Sequence, residues 1–177
     1  MSKRILAALL LCAGLATGCS DVPPPQVSPP EPTPTVPGTP EYDATAEPAT
    51  AVLPFVPEEA TILTVTDFDQ VRAQLGVPEM TSNDPLTDRI AFWRRAEVET
   101  PMLTDGMLRA DNSELMLDFG FTQDDVDWEA HFVTPDGNGF VLAFRDDLDM
   151  HGVTRAVAHQ VGPLAGATVL PREHLVV

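Results

Sequence analysis

Positive charge is what this chain has least of. Ten Lys and Arg residues stand against 27 Asp and Glu, for a formal net charge of −17, and Lys3 is the sole lysine. A field of that sign repels nucleic acid and anionic headgroups, and no basic patch interrupts it, so nucleic-acid binding is excluded. It favours solubility, and with it cationic partners or weakly held divalent cations. Cysteine is nearly absent too: Cys12 and Cys19 are the only two, both near the start, so no disulfide framework staples the chain. The apolar stretch Ile5 to Ala16 is short of the roughly 20 residues that a spanning helix needs. Also missing are G-x-S-x-G, a P-loop, a dinucleotide fingerprint and H-E-x-x-H. No catalytic, cofactor or metal residue is therefore expected from motifs.

What the N-terminus does contain is an address. Lys3 and Arg4 make a positive start, and the apolar stretch that follows has signal-peptide length. Leu15-Ala16-Thr17-Gly18-Cys19 resembles the lipobox of bacterial lipoproteins, departing from the commonest pattern at Ala16, where Leu is usual. The resemblance implies that a lipid transferase alkylates the Cys19 thiol and that a peptidase cuts before it. Cys19 is then the lone cysteine of an exported protein, which acylation explains and an internal disulfide does not. Residues 1–18 are expected to leave as a signal peptide, taking Lys3 and Arg4 and moving the net charge to −19. Each buried methylene of the lipid contributes about 0.8 kcal/mol, so a diacylglyceryl group anchors the chain stably to the outer face of the membrane.

Residues 19–59 read as a linker. Twelve of the 18 prolines lie between Val22 and Glu58, with seven acidic residues and no basic one from Ser20 to Glu59. Proline locks φ and removes backbone donors, so disorder with polyproline II character is expected, and a spacer role with it. Thr33, Thr35, Thr39, Thr45 and Thr50 among these prolines are minor candidates for glycosylation.

Residues 60–177 read as one α+β domain. Thr61–Thr66 is short and β-branched, hence a strand. Asp67 caps a helix carrying Phe68, Val71 and Leu75. A second helix begins at Asp84-Pro85, with Leu86, Ile90 and Trp93 as its core-facing stripe and Glu97 in line with them. Asp111 and Glu114 pair as a cap before Leu115–Phe119, which Gly120 stops, and Thr122 with Asp125 resembles another capped turn. Val126, Trp128, Ala130 and Phe132 alternate with Asp127, Glu129, His131 and Val133, the pattern of a strand with one buried and one solvated face. Pro135-Asp136-Gly137-Asn138-Gly139 turns it into a return strand on Phe140, Leu142 and Phe144. Asp147 or Asp149 opens a helix on Met150, Val153, Val157 and Val161. Ala167–Leu170 reads as the last strand, with Leu175–Val177 a further candidate for it. The order suggests an antiparallel four-stranded sheet with helices on one face, ferredoxin-like βαββαβ with an enlarged first crossover of about 60 residues. The apolar ending His174-Leu175-Val176-Val177 reads as a sheet that a longer chain would continue.

Each candidate constellation in the body has a structural explanation. Asp67/Asp69, Asp124/Asp125/Asp127 and Asp146/Asp147/Asp149 could gather Ca²⁺, yet all sit at element starts, where carboxylates cap amides. Asp136-Gly137-Asn138-Gly139 lacks the spacing and distal Glu of a calcium loop. His131, His151, His159 and His174 are scattered, Ser82 and Ser113 lack an adjacent base, and Trp93 and Trp128 fall on core faces. T-V-T-D-F-D-Q-V-R-A-Q-L-G-V-P at 64–78 and F-G-F-T-Q-D-D-V-D-W-E-A at 119–130 resemble stretches of uncharacterised exported lipoproteins of actinobacteria, a resemblance that supports the address and brings no activity. The expected role is a lipid-anchored, non-catalytic binding module for an envelope protein or small ligand. The alternatives are a hydrolase using carboxylates such as Asp127 and Glu129, and a structural or assembly factor.

Overall fold

The computed structural model describes residues 41–177. The expected signal peptide, Cys19 and the expected linker up to Pro40 lie outside the described residues. Strands β1 (Ile62–Asp67), β2 (Val126–Thr134), β3 (Gly137–Phe144), β4 (Val169–Leu170) and β5 (Leu175–Val176) form one antiparallel sheet in the order β1-β2-β3-β5-β4. Helices are α1 (Pro48–Ala51), α2 (Phe68–Gln74), α3 (Leu86–Glu99), α4 (Asn112–Glu114) and α5 (Met150–Ala158), and α4 runs into a π-helical turn, Leu115–Phe119. Among the described residues no helix is long and apolar enough to cross a membrane.

The α+β class and the antiparallel sheet are as expected, but there are five strands and the connectivity is not ferredoxin-like. That arrangement would place β1 between two later strands. Here β1 is an edge strand paired with β2 alone, in register Val65↔Ala130. The physical reason lies at the C-terminus. The residues after α5 hold two short strands joined by the turn Pro171–His174, and β5 pairs with β3, so the inner edge that β1 would need is filled.

Local chemistry accounts for most element ends. The Asp67 carboxylate accepts the Gln70 amide at the start of α2, and Asp149 accepts the His151 amide at the start of α5. Thr122 and Asp125 form a reciprocal capping box. Gly120 adopts the left-handed conformation (φ 82°) that ends the π-turn.

The sheet is covered on both faces. On one face Val126, Leu142, Phe144 and Val176 meet Phe68 and Val71 of α2, Phe92, Trp93 and Ala96 of α3, and Met150, Val153 and Ala156 of α5. On the other, Trp128, Ala130, Val141, Ala143 and Leu175 meet Ala51 and Val52, with Tyr42, Phe55 and Val56 at the margins. Two expectations change accordingly. The linker was expected to extend to residue 59, whereas the structure brings the folded unit back to Tyr42: Val52 is fully buried and α1 lies against the sheet. Prolines did not prevent this, because Pro48 occupies the first turn of α1 and Pro54 the first turn of a 3₁₀ turn, where no amide donor is needed. The alternation of β2 also breaks once. The register shifts between Val126 and Trp128, a β-bulge at Asp127, so Val126 faces the helices while Trp128 and Ala130 face α1. Glu129, expected on a solvated face, points to the helix side and is fully buried.

Helix α3 is rotated from the expected stripe as well. Arg89, Phe92, Trp93 and Ala96 are its buried residues, while Leu86 and Ile90 are 64% and 43% exposed. An arginine occupies the apolar spacing because its charge is met inside the domain.

Candidate functional site

That interior partner is Asp124, which anchors a buried polar cluster. The Asp124 carboxylate accepts from Arg89 Nε (2.6 Å), Trp93 Nε1 (2.7 Å) and Thr122 Oγ1 (2.8 Å), and forms an ion pair with the same guanidinium. Next to it the Asp125 carboxylate accepts the amides of Ser82 (3.0 Å) and Thr122 (2.9 Å). Arg72 of α2 is 1% exposed, donates to the Val126 carbonyl (2.9 Å) and pairs with Asp127. The motif Thr122-Gln123-Asp124-Asp125 therefore ties α2, α3 and the Ser82 loop to the start of β2. Its role is architectural, and the acid cluster expected at 124–127 is divided: Asp124 and Asp125 point inward, and Asp127 does not.

Asp127, the bulge residue, lines a cleft of about 570 Å³ at one end of the sheet. The end of β1 supplies Asp67, α2 supplies Asp69, and β2 supplies Asp127 and Trp128. Behind β3 comes Asp146, the β4–β5 turn gives Arg172, Glu173 and His174, and Tyr42 to Pro48 form the remaining wall. His174 is held in a left-handed conformation (φ 54°), tolerated by a polar side chain in a tight turn, and its ring Nδ1 lies 2.8 Å from the Arg145 carbonyl. Five carboxylates thus share the cleft with one guanidinium that is not already spent on an ion pair. Burial pushes the Asp127 carboxyl up to about 6; Arg72 opposes the rise and Asp69 adds to it. Burial also raises the Asp67 carboxyl, against the Gln70 amide bond, and lifts the Tyr42 phenol. A carboxyl pushed up to about 6 loses its charge just below neutral pH, and a bound cation would favour its charged form.

The two carboxylates proposed together as a hydrolase pair do not meet. Asp127 belongs to the cleft. Glu129 lies on the opposite face of β2, where its Oε2 accepts the Met107 amide (3.0 Å) and Gln123 Nε2 (3.3 Å). Burial works against its charge, but the neighbouring His131 ring, the Thr104 hydroxyl and the Met107 amide outweigh it and hold the Glu129 carboxyl below its ordinary value. Among the histidines, His151 lies in α5 and His159 caps its end, His174 lines the cleft, and His131 stands beside Glu129. Trp93 and Trp128 are both buried to 6% exposure, as expected of core residues, though one edge of Trp128 reaches the cleft wall.

Sequence reasoning missed the cleft because its acids come from four separate places in the chain: Asp67/Asp69, Asp127, Asp146 and Glu173. The aspartates each have a local capping explanation, Glu173 stands outside any cluster, and the convergence needs the strand order. One signal was available: all of these acids lie within three residues of a strand end, which is where an antiparallel sheet gathers its ends. No known family model matches the chain, and no curated protein or solved structure is significantly similar to it.

Proposed function

We propose that this protein is a lipid-anchored, extracytoplasmic binding module. A diacylglyceryl group on Cys19 holds it at the outer membrane face, after the manner of the exported actinobacterial lipoproteins that stretches of it resemble. Its acidic cleft receives a cationic ligand: an amine or a basic segment of an envelope partner. The observation that supports this is the cleft itself, with Asp67, Asp69, Asp127, Asp146 and Glu173 against Arg172 in its lining and the buried Arg72 behind Asp127 and Asp69, and with Tyr42 and Trp128 in its wall. Aromatic faces and carboxylates together suit an organic cation, which gains from both.

The test joins address and ligand. Cys19→Ala is expected to move the protein from the membrane to the medium in detergent partitioning; an unchanged membrane fraction would sink the anchor. Titration with spermidine and with an oligolysine peptide is expected to show saturable binding that weakens with salt and is reduced in Asp69→Asn. The pH dependence has a definite sign. Asp127, pushed up to about 6, is charged above that value and neutral below it, so affinity is present at pH 7 and falls as pH drops through 6. Binding that is indifferent to pH between 5 and 7.5 would exclude Asp127 from the ligand contact.

A second reading keeps the same cleft but makes Asp127 a general acid, since a carboxyl near 6 is suited to donating a proton. Turnover of a glycoside or ester substrate that Asp127→Asn abolishes, with the melting curve kept, would favour a hydrolase over a binding module.

A further inference from the structure

We infer that the outer edge of β1 is the interface of a homodimer, in which β1 of one copy pairs antiparallel with β1 of a second copy and joins the two sheets into one. β1 ends the sheet. It pairs with β2 on one side, and among the described residues no backbone hydrogen bond reaches its other side. Such an edge presents a row of unpaired amides and carbonyls, a template for another strand. Folded proteins blunt these edges with lysine, proline, a bulge or brevity. β1 has none of these. It is six residues long, its register with β2 runs unbroken from Ile62 to Asp67, and Thr61 to Thr66 carry neither a charge nor a proline. The opposite edge, β4, is only two residues long and offers little to pair with.

Exposed apolar side chains collect at the same edge. Of the nine large hydrophobic residues left exposed among the described residues, four lie on β1 or beside it: Ile62, Leu63, Leu103 and Val133. Ile62 is 56% exposed and stands opposite Val133 of β2. Leu103 is 67% exposed and adjoins Thr104, whose amide and hydroxyl both donate to Thr66 Oγ1. Water therefore meets a strip that is apolar and uncharged, on a chain whose net charge is −17.

The occupant is a second copy because β1 complements itself. Around a twofold axis through Thr64, Thr64 faces the partner's Thr64, Leu63 faces the partner's Val65, and Ile62 faces the partner's Thr66. Opposed residues then share a face, as an antiparallel pair requires: Leu63 and Val65 lie on the α1 side, and Ile62, Thr64 and Thr66 on the helix side. Threonine opposite threonine, and one branched aliphatic side chain opposite another, are favourable cross-strand pairs. The one charge on the strand, Asp67, faces the partner's Thr61, so a hydroxyl and not a second carboxylate meets it. The same axis carries Ile62 and Val133 towards the partner's Leu103. The contact uses one patch twice and closes at two copies. The chain's own proline-rich segment before Glu41 does not compete for the edge, since proline has no donor for a ladder.

The experiment is sedimentation equilibrium of the full chain carrying Cys12→Ala and Cys19→Ala, so that neither lipid nor a native thiol joins copies. A monomer–dimer equilibrium is expected, and it should tighten with added salt, because an uncharged seam joins two acidic bodies whose repulsion salt screens. Ile62→Lys and Thr64→Lys, at positions open to solvent, should keep the circular dichroism of the parent and weaken the dimer about tenfold or more. Leu117→Lys, on the exposed side of the π-turn, should leave it unchanged. Thr64→Cys in the same background should form a disulfide between copies with oxidised glutathione, which fixes the register. A chain that stays monomeric at every concentration would overturn the interface, as would a dimer that both lysine variants leave intact. A dimer that salt weakens would rest on charge pairing and overturn it equally, and Thr64→Cys that never crosslinks would overturn the pairing through Thr64. Failure of spermidine to bind bears only on the cleft and leaves the dimer standing.

Discussion

Glu129 shows how far a residue's chemistry can depart from its place in a pattern. Alternation along β2 assigns it to solvent, which would make Glu129→Ala cost under about 0.5 kcal/mol. In the structure it is fully buried, and its removal strips the Met107 amide and Gln123 of their acceptor and leaves a hole. We expect Glu129→Ala to cost about 2–4 kcal/mol in urea unfolding, and Asp124→Ala about 3–5 kcal/mol, because Arg89 and Trp93 Nε1 would both be left unpaired inside. A value near zero for either would mean that water reaches these groups. Both acids escaped the sequence reading for one reason. Periodicity treats polar residues as markers of the outside, and a buried carboxylate is recognised only from its partners, which for Asp124 are 31 and 35 residues away. The capping residues Asp67, Thr122 and Asp149 were legible because their partners lie two or three residues on, where spacing alone finds them.

Elements were read well where one period governed them, and misread where two constraints competed. The hairpin of β2 and β3 follows its alternation from Trp128 to Phe132, and α5 buries Met150 and Val153 as its spacing requires. The bulge at Asp127 inserts one residue and sends Val126 to the other face, which no pattern of apolar residues reveals. In α3 the stripe of Leu86 and Ile90 lost to Arg89 and Phe92, since the ion pair with Asp124 fixes the rotation. Packing between elements also reverses a propensity. Gly152 lies inside α5, where alanine would ordinarily add about 0.8–1.0 kcal/mol of helix stability. A Cβ there would overlap the Phe119 carbonyl oxygen at the end of the π-turn, a backbone atom that has little room to give. Gly152→Ala is therefore expected to destabilise by about 1–3 kcal/mol, read as a lower midpoint in thermal melting. Stabilisation instead would show that α5 does not approach the π-turn as described.

At the scale of the whole molecule, the boundary between linker and domain decides what the sheet's second face is. Proline density marked everything up to Glu59 as spacer, and composition alone could not reveal that Ala51 and Val52 are buried, because a two-residue apolar plug has no period. The structure makes residues 42–56 part of the fold. They cover Trp128, Ala130, Val141, Ala143 and Leu175, and Tyr42 to Pro48 wall the cleft as well. A chain beginning at Glu59 would keep all five strands and the helices α2 to α5, yet bare one apolar face of the sheet. Burying Val52 alone is worth about 1.5–3 kcal/mol, and exposed sheet faces of this kind associate. Comparison of chains starting at Glu41 and at Glu59 should therefore show a Tm lower by roughly 5–10 °C in the shorter one, with self-association beyond the dimer on size exclusion. The shorter chain should also lose the cationic-ligand binding proposed for the cleft, since Tyr42 leaves with the wall. Equal melting of the two chains would return the boundary to residue 59 and make residues 42–56 a passive extension of the spacer.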